Sequence, residues 1–359
     1  MPQLISKMKT PFVSIILVNY NGLDYTIDCM ESLQKIDYPN YEIVVVDNGS
    51  KVDEGKIIKE KFPKARVFSM KKNKGYTGGA NFGYKQTKGE SIVLLNNDTT
   101  VEKNWLSELV KASQDPSVAL TQSNIFVKYG KDDYHYDNNN GQSIIGCPLP
   151  NKEEFDEKGL KKPFLALGCS VLYPSKLFKE PFDEDYFCCC DDTALTFRAR
   201  IMGYKIREVK SSIVYHEGDV VYGKEKNKKI SKLPTYLKER NYILNLLIFY
   251  EGKTLLKMFP LIISAAILRN LNQIRGFPIR IKSYFWLLTN ISKILEKRRR
   301  MQKTRKISDS ALLKPMSCRF LDSERVHSKT MKGFVNIINK VSYIYCDIFN
   351  IRTSEFYKN

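Results

Sequence analysis

Three short apolar runs constrain this chain more than any other feature: VSIILVN at residues 13–19, YEIVVVD at 41–47 and SIVLLN at 91–96. Each is rich in β-branched residues and hydrophobic on nearly every position, as expected of a strand buried on both faces of a sheet. Each also stops on an Asn or Asp. Stretches of helical period separate them, at residues 25–36, 54–62, 78–87 and 103–113, with another strand at 66–70. Asp24 stands where the N-cap of the first helix belongs. The alternation predicts a βαβ series, a parallel open sheet, and ligands at the carboxyl ends of its strands.

That rule marks the polar residues to watch. Asn19, Tyr20 and Asn21 follow the first strand and are candidates to line a base pocket. Asp47, followed by Asn48, can accept hydrogen bonds from a base imide or ribose hydroxyl, although a plain Asp-Asn-Gly turn explains the same residues. In NKGYTGGANFG, Gly75, Gly78 and Gly79 would let backbone approach a ligand, and Asn81 could hydrogen-bond it. The spacing there matches neither a P-loop nor a dinucleotide fingerprint. Asp98, preceded by Asn96 and Asn97, is a carboxylate at a strand end, as a hard divalent cation requires.

Further along, Asp191 and Asp192 follow an aromatic segment at 182–187 and open a helical stretch at 193–202. A carboxylate there is stabilised as an anion, which suits either helix capping or a general base acting on a hydroxyl. His216, one of three histidines, could be a neutral metal ligand or a packed strand-end imidazole. The Asn-rich segment 128–142 reads as a surface loop or hairpin, and its His135 as solvated.

Taken in order, VSIILVNYNG, EIVVVDNGS, NKGYTGGANFG, LLNNDT, FDEDYFCCCDDTALTFRARIMGYKI, VYHEG and ERNYI resemble glycosyltransferase family 2, in its rhamnosyl- and galactofuranosyltransferase branch. The likeness runs over roughly residues 12–245. It implies an α/β GT-A fold, a Rossmann-like open mixed sheet flanked by helices. It also implies a UDP-, dTDP- or GDP-linked sugar donor, Mg²⁺ or Mn²⁺, and inversion by direct displacement. Through the resemblance Asp47 falls at the base, Asp98 at the metal, Asp192 on the catalytic base and His216 near the diphosphate. Arg240-Asn241 matches an Arg-Asn pair after the catalytic core. The chain departs from the pattern at Asn96, where the metal motif begins with Asp, at Asp191, where Glu is usual, and at Ala194, where a second Asp is common.

Charge separates the chain into two parts. Residues 1–222 carry 29 Lys/Arg against 30 Asp/Glu, whereas residues 223–359 carry 29 against 9, so the later part holds all of the +19 excess. Basic clusters at 224–232, 297–300 and 303–306 alternate there with apolar pieces at 242–250, 258–268 and 284–288. None of these reaches the roughly 20 apolar residues that span a bilayer. The expected layout is a tail at 1–11, a catalytic domain at 12–250 and a basic helical extension at 251–359. That extension either packs as ordinary globular helices or lies on an anionic membrane surface, presenting the catalytic domain to a glycan or polyprenyl-linked acceptor. The eight cysteines show no metal spacing, and the N-terminus has no secretory h-region, so the expected location is cytoplasmic, peripheral on the cytoplasmic face of a membrane. A catalytically degenerate scaffold and a nucleic-acid-binding protein are the alternatives. Nucleic acid is disfavoured, because no recognised binding motif accompanies the charge.

Overall fold

The structure is a computed structural model that describes residues 10–129, 133–150, 154–218, 232–272, 274–326 and 328–357. The tail through residue 9, residues 130–132 of the Asn-rich segment and all of the 224–232 basic cluster except Lys232 lie outside the described residues. The first half follows the sequence pattern closely: β1 (Val13–Asn19), α1 (Leu23–Leu33), β2 (Tyr41–Asp47), α2 (Glu54–Lys61), β3 (Arg66–Ser69), α3 (Gly75–Gln86) and β4 (Ser91–Asn96). There follow β5 (Thr99–Val101), α4 (Trp105–Ala112), β6 (Val118–Tyr129) and β7 (Asp133–Tyr136). A two-stranded ribbon, β8 (Gly141–Gln142) and β9 (Pro148–Leu149), precedes β10 (Ser170–Pro174), α5 (Asp191–Ile201) and β11 (Lys205–His216).

The main sheet runs β3-β2-β1-β4-β10-β6-β11-β5, with β7 paired to β6. Strands β1 to β4 are mutually parallel, as expected. Beyond them the sheet is mixed, because β10 runs antiparallel to β4 and β6, and β5 antiparallel to β11. The sheet is thus the open mixed one that the resemblance implied, with the βαβ part, β1 to β4, parallel as the alternation predicted. The side-chain period of two divides the core between its faces. Val13, Ile15 and Leu17 of β1 pack with α1, α2 and α4 residues such as Met30, Ile58 and Trp105. Ile16 and Val18 turn the other way, toward Ala80 of α3 and Leu195 of α5.

One local expectation is revised, and one open reading is decided. Gly22, not Asp24, is the N-cap of α1, because Gly22 O accepts from both Thr26 N and Thr26 Oγ1 and starts the helix earlier. Asp24 then sits in the first turn and acts on the helix dipole. Within 128–142, residues 133–136 form a strand that pairs with β6, so the segment is a hairpin, with His135 hydrogen-bonded to Asp133 at 2.8 Å.

After the sheet come α6 (Lys232–Phe249), α7 (Gly252–Asn272), α8 (Phe277–Thr289), α9 (Ile291–Lys303), α10 (Asp309–Leu313) and α11 (Lys329–Ile348). They share one core with the sheet layer: Phe164 and Phe197 join Leu244, Met258, Leu287 and Cys346. The apolar piece at 258–268 belongs to a longer helix than its composition suggested. Gly252–Leu271 is by length and composition enough to cross a bilayer, which corrects the expectation that nothing here reaches that length.

The close seat of α3 on the sheet depends on glycine. A Cβ on Gly83 would stand 2.8 Å from Ile16 Cγ2 and 3.1 Å from Val46 Cγ2. Gly83→Val should therefore destabilise the protein by about 1–3 kcal/mol through overpacking, read as a lower urea midpoint. An unchanged midpoint would mean that α3 can shift away at no cost.

Candidate active site

Register brings the polar strand ends together. Asn19 pairs with Asp47, and Val18 with Asn96, so the ends of β1, β2 and β4 form one carboxyl edge. Beside this edge lies a cleft of about 320 Å³. Asn96, Asp98, Asp191, Asp192 and His216, five of the residues singled out in the sequence, line it.

Asp98 and His216 meet through strand pairing. β5 runs antiparallel to β11 with Thr99 opposite His216, and Glu217 N donates to Asp98 O at 3.0 Å. Asp98 Oδ1 consequently lies 3.3 Å from His216 Nε2, and Asn96 Nδ2 lies 3.5 Å from the same nitrogen. Asp98 Oδ2 is buried and has no hydrogen-bond partner among the described residues. A buried carboxylate oxygen without a partner is costly, and a cation would satisfy it. One carboxylate and one imidazole fit Mg²⁺ or Mn²⁺ that also takes phosphate oxygens. Among the described residues no group of three or more His, Cys, Asp or Glu side chains is placed to hold an ion, so the protein's share of such a site would be this pair.

The acidic pair is carried on an unusual piece of backbone. Phe187, Cys189 and Cys190 all have positive φ, at 62°, 70° and 59°, a conformation costing of order 1–3 kcal/mol at each non-glycine residue. Side chains of α6 hold its carbonyls. Asn241 Nδ2 donates to Tyr186 O, Cys188 O and Cys189 O at 3.1, 3.0 and 2.8 Å, and Asn245 Nδ2 donates to Cys190 O at 3.2 Å. Arg240 donates to Asp185 O and Tyr186 O, and its Nε to Asn241 Oδ1 at 2.9 Å. From the other side Thr77 N donates to Phe187 O at 3.2 Å. The loop delivers Asp191 and Asp192 as the first residues of α5.

The two carboxyls sit differently. Burial, with the neighbouring Asp192 charge adding to it, holds Asp191 well above the usual carboxylate range. Burial also raises Asp192, but Thr193 N and Gly168 N, at 2.6 and 3.3 Å, support its charged form. Asp192 is thus the member suited to carry the negative charge, and Asp191 the proton. Ala194, one turn into α5, packs partly buried against the helical core.

Most of the remaining candidates make contacts with the protein itself. Asn19 is fully buried and donates to Glu54 Oε2 at 2.8 Å and to Asp47 Oδ1 at 3.3 Å. Ser50 caps the same Asp47 oxygen, while Tyr20 is 46% exposed and Asn21 bonds Ser50 and Lys51. Asn48 braces the start of α3 through Lys74 N and Gly75 O, and Asn97 Nδ2 donates to Thr26 Oγ1 at 2.9 Å. The close approach assigned to a ligand at the glycines is made by protein. A Cβ on Gly75 would meet Phe187 O at 2.2 Å, one on Gly78 would meet Lys74 Cβ at 2.6 Å, and one on Gly79 would meet Val18 Cγ1 at 2.7 Å. Asn81, offered as a ligand donor, spends both amide groups on the Phe182 backbone, at 2.8 and 3.1 Å.

Sequence reading missed Tyr76, Asp137 and Gly168, which also line the cleft. Tyr76 lies inside the quoted glycine run and Asp137 inside the Asn-rich segment, yet neither has a spacing that singles it out. Cys188, Cys189 and Cys190 also line the cleft, and burial raises the Cys190 thiol.

Two outcomes follow from this geometry. Asn241→Ala removes three carbonyl contacts, and should lower stability by about 1–3 kcal/mol and reduce kcat more than donor affinity, read by denaturation and steady-state kinetics. Equal loss of kcat and affinity would mean the clamp serves the donor subsite instead. Burial raises Asp192, so falling pH should protonate it early, and with Asp192 as the base expected from the sequence that protonation ends turnover. The acid limb of kcat/KM is expected above the ordinary Asp value of about 3.9; a limb at or below that value would contradict the assignment.

Residues 14–179 match the family model described as glycosyl transferase family 2. Glycosyltransferase GlyG of Streptococcus pneumoniae is 27% identical over 54% of this chain and 66% of its own length. The uncharacterized glycosyltransferase RP339 of Rickettsia prowazekii is 30% identical over 49% of this chain and 54% of its own length. The chain thus spans less than two thirds of either relative. A crystal structure of GalNAc-T7 with UDP, GalNAc and Mn²⁺ superposes with a TM-score of 0.54 at 19% identity, covering 67% of this chain and 48% of that one; at that identity the likeness speaks for the fold, which is of GT-A type. The family match takes in a little under half of the chain, and the two relatives resemble it over about half of its length.

Proposed function

We propose that the protein is a metal-dependent inverting glycosyltransferase that moves a sugar from a UDP-, dTDP- or GDP-linked donor to a hydroxyl of a glycan or polyprenyl-linked acceptor, in surface polysaccharide or glycoconjugate synthesis. The observation that carries this reading is the convergence of Asp98, His216, Asp191 and Asp192 on one cleft at the carboxyl edge of the sheet. Asn96, where the metal motif usually begins with Asp, favours the rhamnosyl- and galactofuranosyltransferase-like branch. Asp98 and His216 would hold Mg²⁺ or Mn²⁺, and when bound such a cation supplies charge neutralisation to the leaving diphosphate.

Asp192 takes the proton of the acceptor hydroxyl. The acceptor oxygen forms its bond to the anomeric carbon on the face opposite the nucleotide, the bond from that carbon to the diphosphate oxygen breaks, and the nucleoside diphosphate leaves with the electron pair. Burial and the neighbouring Asp192 charge raise the Asp191 carboxyl, which favours a single negative charge on the pair. The carbonyl clamp from α6 holds the loop that carries this base.

The test is release of nucleoside diphosphate from a panel of UDP-, dTDP- and GDP-sugars with Mg²⁺, Mn²⁺ or EDTA. Asp192→Asn should lower turnover by about 10²–10⁴ with donor affinity nearly unchanged. Asp98→Ala should weaken donor binding in the presence of metal and make it indifferent to EDTA. Equal loss of donor affinity in both variants would remove the division of roles, and absence of donor binding by the wild type would remove the reading itself.

A further inference from the structure

Three helices of the C-terminal region bury one face and leave the other bare. On α7, Met258, Leu261 and Ala265 are buried in the core, while Leu256, Phe259, Ile263, Ile267 and Leu271 are exposed, Leu256 to 79%. The outward positions recur at intervals of three and four, which is one helix face. α8 repeats the pattern with Phe277, Ile281, Phe285 and Leu288 exposed. α11 repeats it with Phe334, Ile337, Val341, Ile344 and Ile348, the last 72% exposed.

The three helices adjoin. Asn270 of α7 donates to Tyr284 Oη of α8 at 3.0 Å, and Tyr345 Oη of α11 donates to Lys257 O of α7 at 2.8 Å. An exposed apolar surface made of three helix faces exceeds the scattered apolar residues of an ordinary surface. It is bordered by exposed cations: Lys253 on α7, Arg275 before α8, Lys282 on α8 and Lys340 on α11. Residues 251–359 hold 22 Lys/Arg against 7 Asp/Glu. Aliphatic and aromatic faces set among lysine and arginine complement an anionic lipid surface, where apolar insertion and charge attraction act together.

We infer that the exposed faces of α7, α8 and α11 form a single docking surface for an anionic membrane, with the helices lying in the interface and not crossing it. Crossing is opposed by the inner face of α7. Arg269 is bound to buried Glu239 at 2.9 and 3.0 Å, and Met258 and Leu261 belong to a core shared with α6 and α8. Insertion of α7 across a bilayer would tear out that core and strand a buried charge. The inference stands apart from the glycosyl-transfer reading, because lipid binding is measured without donor or acceptor.

The experiment uses the full chain with vesicles of phosphatidylcholine alone and of phosphatidylcholine with phosphatidylglycerol in equal parts. Wild type should sediment with the anionic vesicles, and binding should fall about tenfold when the anionic lipid is omitted or salt is raised. The triple variant Ile263→Glu, Phe285→Glu, Ile337→Glu should lose at least about tenfold in binding with an unchanged unfolding temperature, since all three side chains face outward. Alkaline carbonate should release the bound wild type. Wild type that ignores anionic vesicles would overturn the proposal, as would a triple variant that binds like wild type. Retention after carbonate would overturn the interfacial placement in favour of a crossing helix. A wild-type dimer that the triple variant dissolves, with no vesicle binding, would reassign the surface to a second copy of this chain.

Discussion

The arrangement of the cleft depends on how three side chains of α6 hold a stretch of left-handed backbone. Arg240, Asn241 and Asn245 donate to the carbonyls of residues 185, 186, 188, 189 and 190, and this stretch turns the chain into α5 so that Asp191 and Asp192 start that helix within the cleft. Three non-glycine residues at positive φ would not persist in an isolated loop. They persist here because the carbonyls they present are met by donors fixed on a buried helix, and Tyr186 Oη in turn donates to Asn245 Oδ1 at 2.6 Å.

The opposite wall of the cleft is built by another principle. Asp98 occupies the two-residue connection from β4 to β5, and β5 has only three residues. Its antiparallel pairing with the last residues of β11 sets His216 against the carboxylate. Backbone pairing positions one wall and side-chain to carbonyl bonds position the other, so the two acidic centres are supported independently. Losing the α6 clamp would disturb Asp192 while leaving the Asp98 and His216 pair in register.

Much of this was legible in the sequence. The strands β1, β2 and β4 matched their expected bounds because burial on both faces writes itself as unbroken apolar runs. The acidic positions followed because ligands gather at strand carboxyl ends. The glycines illustrate what was not legible: Gly75, Gly78 and Gly79 announce a close approach but not what approaches, and here it is Phe187, Lys74 and Val18. Asn81 likewise looks like a ligand donor until its amide is seen on the Phe182 backbone. Arg240-Asn241 was recognised as a pair, yet its task depends on carbonyls far away in the sequence, and no local spacing encodes that. Tyr76 and Asp137 were missed for the same reason, since only the fold brings them to the cleft.

The basic excess of the C-terminal region also divides in a way composition cannot reveal. Lys297 is held by Asp183 at 2.5 Å and also by Asp185, at the start of the loop that leads into α5, and Arg298 donates to Leu247 O and Tyr250 O. Arg305 pairs with Asp309 at 3.0 Å, and Arg269 and Arg280 both meet Glu239. Half of the 297–300 cluster is therefore part of the fold, and removing one partner of a pair as buried as Glu239 with Arg269 would cost about 3–5 kcal/mol. The guanidinium of Arg240 lies 4.5 Å from the ring centroid of Trp286 on α8, so the residue that holds the loop is itself packed against the C-terminal helices. On their inner side these helices are consequently a structural element of the cleft, and the inward cations belong to that structure.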